Sequence, residues 1–133
     1  MFRHIGIVTR NIEDSVKFYA IFGFELLVRK HENSKFIDTI SNTEKSNLIT
    51  TRLVNADGDM IELLEYHDDL LPFRASLFGI GLAHFALTIN SFEILRHTDV
   101  ELLHKPTIDP EGKAKVAFCR TPEGALIELV ELI

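Results

Sequence analysis

The sequence predicts an α+β fold assembled from two βαβββ modules within 133 residues. Three observations lead there. Strand-length runs of β-branched and aromatic residues outnumber the helical stretches, turn residues bound nearly every run, and the order of strand, helix and three strands starts again at residue 82. The length is one domain's worth, so the expected organisation is a single domain, 1–133, made of module one (1–66), a linker (67–81) and module two (82–133). A chain of this size buries roughly two-thirds of its unfolded surface, so no metal is needed to hold the fold, and any metal is free for chemistry.

Residues 2–8, Phe2-Arg3-His4-Ile5-Gly6-Ile7-Val8, read as the first strand rather than a signal segment. Asn11 reads as an N-cap, with Ile12, Val16, Tyr19 and Ala20 at helical spacing and Gly23 ending the helix. Residues 24–30 form a strand, a polar connection runs through Asn42 to Ser46, residues 47–54 form the third strand, and Asn55-Ala56-Asp57-Gly58 turns into a fourth over 60–66. The linker, with Asp68-Asp69, Pro72 and Gly79-Ile80-Gly81, has room for a short helical turn. Module two then reads as a strand over 82–89, a short helix over 91–97 opened by Asn90 or Ser91, a weak strand over 100–103, and strands over 115–120 and 126–132. Pro106, Pro110 and Gly112 fill the loop before 115.

The modules match at both ends. His4-Ile5-Gly6-Ile7-Val8 followed by Asn11-Ile12-Glu13 aligns with His84-Phe85-Ala86-Leu87-Thr88 followed by Asn90-Ser91-Phe92-Glu93, and Asp57-Gly58 through Glu65 aligns with Glu123-Gly124 through Glu131. From His4 to Glu62 is 58 residues and from His84 to Glu128 is 44, so the second copy is 14 residues shorter, mostly in its helix and middle strands.

Fourteen Lys and Arg against 20 Asp and Glu leave a net charge of −6, which opposes attraction to phosphate backbones, and no nucleic-acid partner is expected. The most apolar stretches are short and interrupted by His84, Glu128 and Glu131, so no membrane span is expected. The single cysteine, Cys119, cannot form an internal disulfide, and a cytoplasmic location is the expectation.

Four residues do not suit their faces. Strand alternation puts His4 with Gly6 and Val8, His84 with Ala86 and Thr88, Glu62 with Met60 and Leu64, and Glu128 with Leu126 and Val130. A lone strand His or Glu is ordinarily half exposed or hydrogen-bonded; here the repeat sets the same two types at the same two places twice. Both strand faces are largely apolar, so one must line an enclosed space where unpaired carboxylates are costly. Coordinating a divalent metal is the cheapest way to keep two carboxylates and two imidazoles there together.

In order and spacing the chain resembles the vicinal oxygen chelate superfamily, which includes glyoxalase I, methylmalonyl-CoA epimerase, extradiol dioxygenases and fosfomycin-resistance enzymes. The resemblance rests on His4-Ile5-Gly6-Ile7-Val8, Ser15-Val16-Lys17-Phe18-Tyr19 with Phe22-Gly23-Phe24, Ile61-Glu62-Leu63, Gly81-Leu82-Ala83-His84-Phe85-Ala86, and Thr121-Pro122-Glu123-Gly124 leading into Ile127-Glu128-Leu129. The family usually has Asp where this chain has Thr121, and the short second helix also departs from it. The resemblance implies a glyoxalase-like fold: a cupped mixed sheet with one divalent metal at its base, held by His4, Glu62, His84 and Glu128, with two positions open to substrate oxygens. It further implies a homodimer, with the site built within one chain or across two.

That ligand set implies a metal-dependent isomerase or lyase that transfers a proton next to a carbonyl through an enediolate or enolate, with Glu128 the first choice of base and Glu62 the second. The implied substrate is a small molecule, a glutathione thiohemiacetal or an acyl-CoA thioester, as in lactoylglutathione lyase or methylmalonyl-CoA epimerase. The ion is Ni, Co, Zn, Mn or Fe, among which two nitrogens and two oxygens do not choose. The alternatives are an extradiol dioxygenase, for which a fourth protein ligand leaves too few open sites, and a metal-free binding or resistance protein of the same fold. His31, His67, His97 and His104 stand in polar contexts that suggest solvated side chains. Glu44 lies near where epimerases of the family carry a second acid or base, Arg74 and Arg120 are candidates for an anionic substrate tail, and Cys119 is expected to be a small core residue.

Overall fold

The structure, a computed structural model, describes residues 1–42, 44–67, 76–77 and 79–133. The chain divides into two compact units, Met1–Pro72 and Phe73–Ile133. The helical turn expected in the linker, and Arg74, fall largely or wholly outside the described residues.

The first unit holds β1 (Ile5–Thr9), α1 (Ile12–Ala20), β2 (Glu25–Glu32), α2 (Lys35–Ser41), β3 (Leu48–Val54) and β4 (Met60–Tyr66). Its sheet runs β1-β4-β3-β2. The β1–β4 pair is parallel and the other two pairs are antiparallel, so the first strand returns beside the last. Asn11 caps α1 as its sequence suggests: its side chain accepts from the backbone N–H of Glu13 and Asp14. Gly23 ends the segment at a φ of 82°, a left-handed conformation that glycine adopts freely. Helix α1 lies on one face of the sheet, over Ile7, Leu53, Ile61 and Leu63, with Ile12, Phe18 and Tyr19 buried against them.

The second unit holds β5 (Phe85–Ile89), a single 3₁₀ turn (Phe92–Leu95), β6 (Thr107–Ile108), β7 (Ala114–Arg120) and β8 (Leu126–Leu132). Its sheet runs β5-β8-β7-β6, again with the first and last long strands parallel. Ala117, Cys119, Ile127 and Leu129 are its buried face. The expected mixed α+β architecture, with the module repeated, is what the chain adopts.

Four elements differ from the sequence expectation, the first being β6, a two-residue strand within the expected loop. Helix α2 was expected as part of a polar connection; it is capped by Ser34 and closed by Asn42 in the left-handed region, yet buries no residue, so its periodicity carried no core signal. The weak strand at 100–103 is a lone bridge, Leu102 to Cys119, because the edge of β7 is shared with β6, beyond Pro106, which has no N–H to continue the ladder. The second helix is a 3₁₀ turn of four residues, shorter than 91–97.

A glutamate near the end of each module's last strand anchors the helical start of the same module. Glu65 Oε2 accepts the N–H of Ile12 at 2.6 Å, and Glu131 Oε2 accepts that of Phe92 at 2.8 Å. The Lys115 ammonium beside Glu131, helped by the Phe92 N–H, holds its carboxyl below the ordinary 4.5. A lowered folded-state pKa stabilises above the unfolded value, and the contribution is lost as pH falls through the folded value. We therefore expect Glu131→Gln to lower the urea midpoint at pH 7, with the gap from wild type closing below about pH 4. Urea titrations at the two pH values check this; a gap of undiminished size at low pH contradicts it.

Candidate functional site

Each sheet sets a histidine beside a glutamate of its last strand, on the face away from its buried side. His4 lies one residue before β1, and Gly6, two residues on, is the parallel partner of Glu62 in β4. His84 lies one residue before β5, and Ala86 is the parallel partner of Glu128 in β8. A Cβ at Gly6 would meet only Leu64 Cδ1, at an ordinary 3.8 Å, so Gly6 and Ala86 are equivalent small residues beside the carboxylates.

His4 Nε2 stands 3.3 Å from Glu62 Oε2, and His84 Nε2 stands 3.2 Å from Glu128 Oε2. Both imidazoles keep Nδ1 buried and without a hydrogen-bond partner among the described residues, so Nε2 is the nitrogen turned toward the carboxylate. Two ligands at right angles on an ion about 2.1 Å away lie about 3 Å apart, so each pair has the spacing of neighbouring ligands, and mixed nitrogen and oxygen donors suit a divalent transition ion. The structure thus brings the four expected residues together as two pairs. No group of three or more His, Cys, Asp or Glu side chains forms among the described residues.

The pairs differ in what lies across the next strand. Arg52 is the antiparallel partner of Glu62, and its Nε donates to Glu62 Oε1 at 2.8 Å. Phe118 is the antiparallel partner of Glu128, and its ring packs edge-on to His84 with centroids 5.1 Å apart. One carboxylate is therefore shared between an imidazole and a guanidinium; the other has an imidazole and an aromatic edge. Sequence reasoning missed both neighbours. Each hairpin closes on a backbone pair, Asn55 N–H to Asp59 and Thr121 N–H to Ala125, and the register so set decides which residue faces the glutamate.

A family model, the Glyoxalase/Bleomycin resistance protein/Dioxygenase superfamily, matches residues 2–129, which include both pairs. The chain belongs to this superfamily. Solved structures agree on its fold. A glyoxalase family protein from Bacillus cereus is similar at a TM-score of 0.90 and 19% identity, over 99% of this chain and 93% of that one. FosX, a fosfomycin resistance protein from Listeria monocytogenes solved with Mn(II) and sulfate, is similar at 0.64 and 19%, over 100% and 93%. A glyoxalase I variant from Zea mays is similar at 0.70 and 18%, with this chain spanning 97% of itself but 44% of the maize enzyme. No curated protein matches the chain.

Thr121, where the resemblance led to an expected aspartate, closes its own turn: its Oγ1 accepts the N–H of Ala125 at 3.1 Å. Arg120 serves that turn too, donating to the Gly124 carbonyl at 3.0 Å. His31 pairs with Asn47 and packs edge-on to His67, His97 is exposed, and Glu44 is exposed between α2 and β3. His104 is exposed but leans on Phe118, with ring centroids 6.1 Å apart, so it borders the second pair rather than standing apart in solvent. No helix among the described residues is long and apolar enough to cross a membrane.

Cys119 is fully buried, and burial pushes its thiol up to about 11. It lies on the face opposite Phe118 and is core, not nucleophile. Alkylation with iodoacetamide at pH 8 is expected to be slow in the native protein and fast in urea. Equal rates in the two conditions would show an accessible thiolate.

Proposed function

We propose that this chain is a metal-dependent isomerase or lyase that moves a proton at the carbon beside a carbonyl, with His4, Glu62, His84 and Glu128 as the ligands of one divalent ion. The observation that carries this is the repetition of one His Nε2 to Glu Oε2 approach, at 3.3 and 3.2 Å, at the same register point of both modules. Two pairs supply four ligands per ion, from one chain or from two copies in a homodimer. The ion, Ni, Co, Zn, Mn or Fe, supplies Lewis-acid polarisation of a carbonyl oxygen when bound.

The chain's own residues divide the remaining work. Arg52 holds Glu62 Oε1 and leaves Oε2 toward His4, which suits a ligand that keeps its place. Glu128 has no guanidinium across the strand, so its carboxylate is the freer of the two to take a proton and return it. This favours Glu128 over Glu62 as the base. The substrate proposed is a thiohemiacetal or an acyl thioester, the superfamily chemistry that such a proton shuttle serves.

Elemental analysis after loading each metal should give one ion per site, and turnover of glutathione or CoA thioester substrates should proceed without O₂. His4→Ala and His84→Ala should lose metal and turnover together. Glu128→Gln should keep metal, since an amide oxygen still donates a lone pair, while turnover falls by about 10²- to 10⁴-fold because the amide accepts no proton near neutral pH. Full turnover by metal-loaded Glu128→Gln removes Glu128 as the base. Strict O₂ dependence with ring cleavage of a catechol places the chain among the dioxygenases instead.

A further inference from the structure

Arg52 is held at one edge and open at the other. Its Nε is committed to Glu62 Oε1, but neither Nη has a hydrogen-bond partner among the described residues, and its side chain is 37% exposed. A guanidinium fixed in this way presents a planar fork of N–H donors in one orientation, at little further entropic cost. It does so on the sheet face that carries His4 and Glu62, because antiparallel partners share a face. The matched position in module two is Phe118, so the fork is confined to one side of the pair of half-sites.

Charge points the same way. With neutral imidazoles, His4, Glu62 and Arg52 sum to zero and His84 with Glu128 to one negative charge, so a divalent ion on all four ligands leaves one net positive charge. Without Arg52 the same centre would be neutral. A half-buried surplus charge beside an open donor fork favours an anionic ligand over a neutral one.

We propose that Arg52 is a substrate-binding residue and that the substrate carries a carboxylate next to the reacting carbon, held by the Arg52 Nη groups while its vicinal oxygens face the ligand set. This rests on the proposed metal centre and narrows its substrate to compounds with a carboxylate beside the reacting carbon, which favours a carboxylated acyl thioester over a thiohemiacetal that lacks one there. Arg52 thereby also sets specificity, since a ligand lacking the carboxylate leaves the fork unpaired.

The test is calorimetric titration of Mn²⁺-loaded protein with tartronate and with glycolate, which share a hydroxyl and a carboxylate and differ by tartronate's second carboxylate. Wild type should bind tartronate about tenfold or more tightly than glycolate, as a charge-assisted bidentate contact gives. Arg52→Met, which keeps the apolar stem, should reduce that preference to about twofold or less, and Arg52→Lys, which keeps charge but not the fork, should fall between. Circular dichroism melting establishes that each variant is folded; if Arg52→Met is not, the wild-type preference and the Arg52→Lys result decide. Equal preference in wild type and variant, or none in wild type, overturns the proposal. If none of Mn²⁺, Ni²⁺, Co²⁺, Zn²⁺ and Fe²⁺ is taken up, the metal centre itself fails. Tartronate binding to the metal-free protein then decides Arg52 separately: dependence on Arg52 supports the anion role and independence overturns it.

Discussion

Everything at the site depends on the parallel pairing of the first strand of each module with its last. A parallel pair cannot be closed by a tight turn; the chain must leave the sheet, cross it and return. That crossing brings His4 beside a glutamate 58 residues later, and His84 beside one 44 residues later. The shorter second path replaces a helix of nine residues with a four-residue 3₁₀ turn and still returns to the same register, Ala86 to Glu128 as Gly6 to Glu62. The strand pairing is thus the conserved quantity between the modules, and the helices are how each module reaches it. Glu65 and Glu131 tie those helical starts to the same strands that carry the site glutamates.

The halves share a frame but not an electrostatic setting. Glu62 is clasped from two sides, by His4 and Arg52, whereas Glu128 meets His84 and the edge of Phe118. In a half-buried setting, each carboxylate needs compensation, and the two receive it differently. A single cross-strand difference in an otherwise repeated frame, Arg52 against Phe118, gives two like residues unlike surroundings.

Most of this was legible in the sequence because the repeat is carried by strongly patterned strands. β4 and β8 fall where alternation puts them, and the cap at Asn11 is the one its side chain makes. What was hidden was whatever buries little. Helix α2 leaves Phe36 and Ile40 67% and 63% exposed, so nothing in the core constrained its pattern. The strand pair β6–β7 is two residues long and follows a proline, below the length at which alternation is readable. The two His–Glu pairs were legible as residue types and positions. Arg52 and Phe118 were not, because their place beside the glutamates is set by hairpin register, which depends on how each turn closes: through the Asn55 side chain in one module and the Thr121 hydroxyl in the other.

The central claim is that two repeated His–Glu pairs serve one ion. The most direct measurement is a crystal structure of the Ni- or Co-loaded protein phased at the metal absorption edge, in which anomalous density locates each ion without reference to the chain. The account predicts one ion per site with His4 Nε2, His84 Nε2 and one oxygen each of Glu62 and Glu128 within about 2.0–2.2 Å, whether those four come from one chain or two. An ion bound by other residues, or a separate ion on each pair, would contradict it.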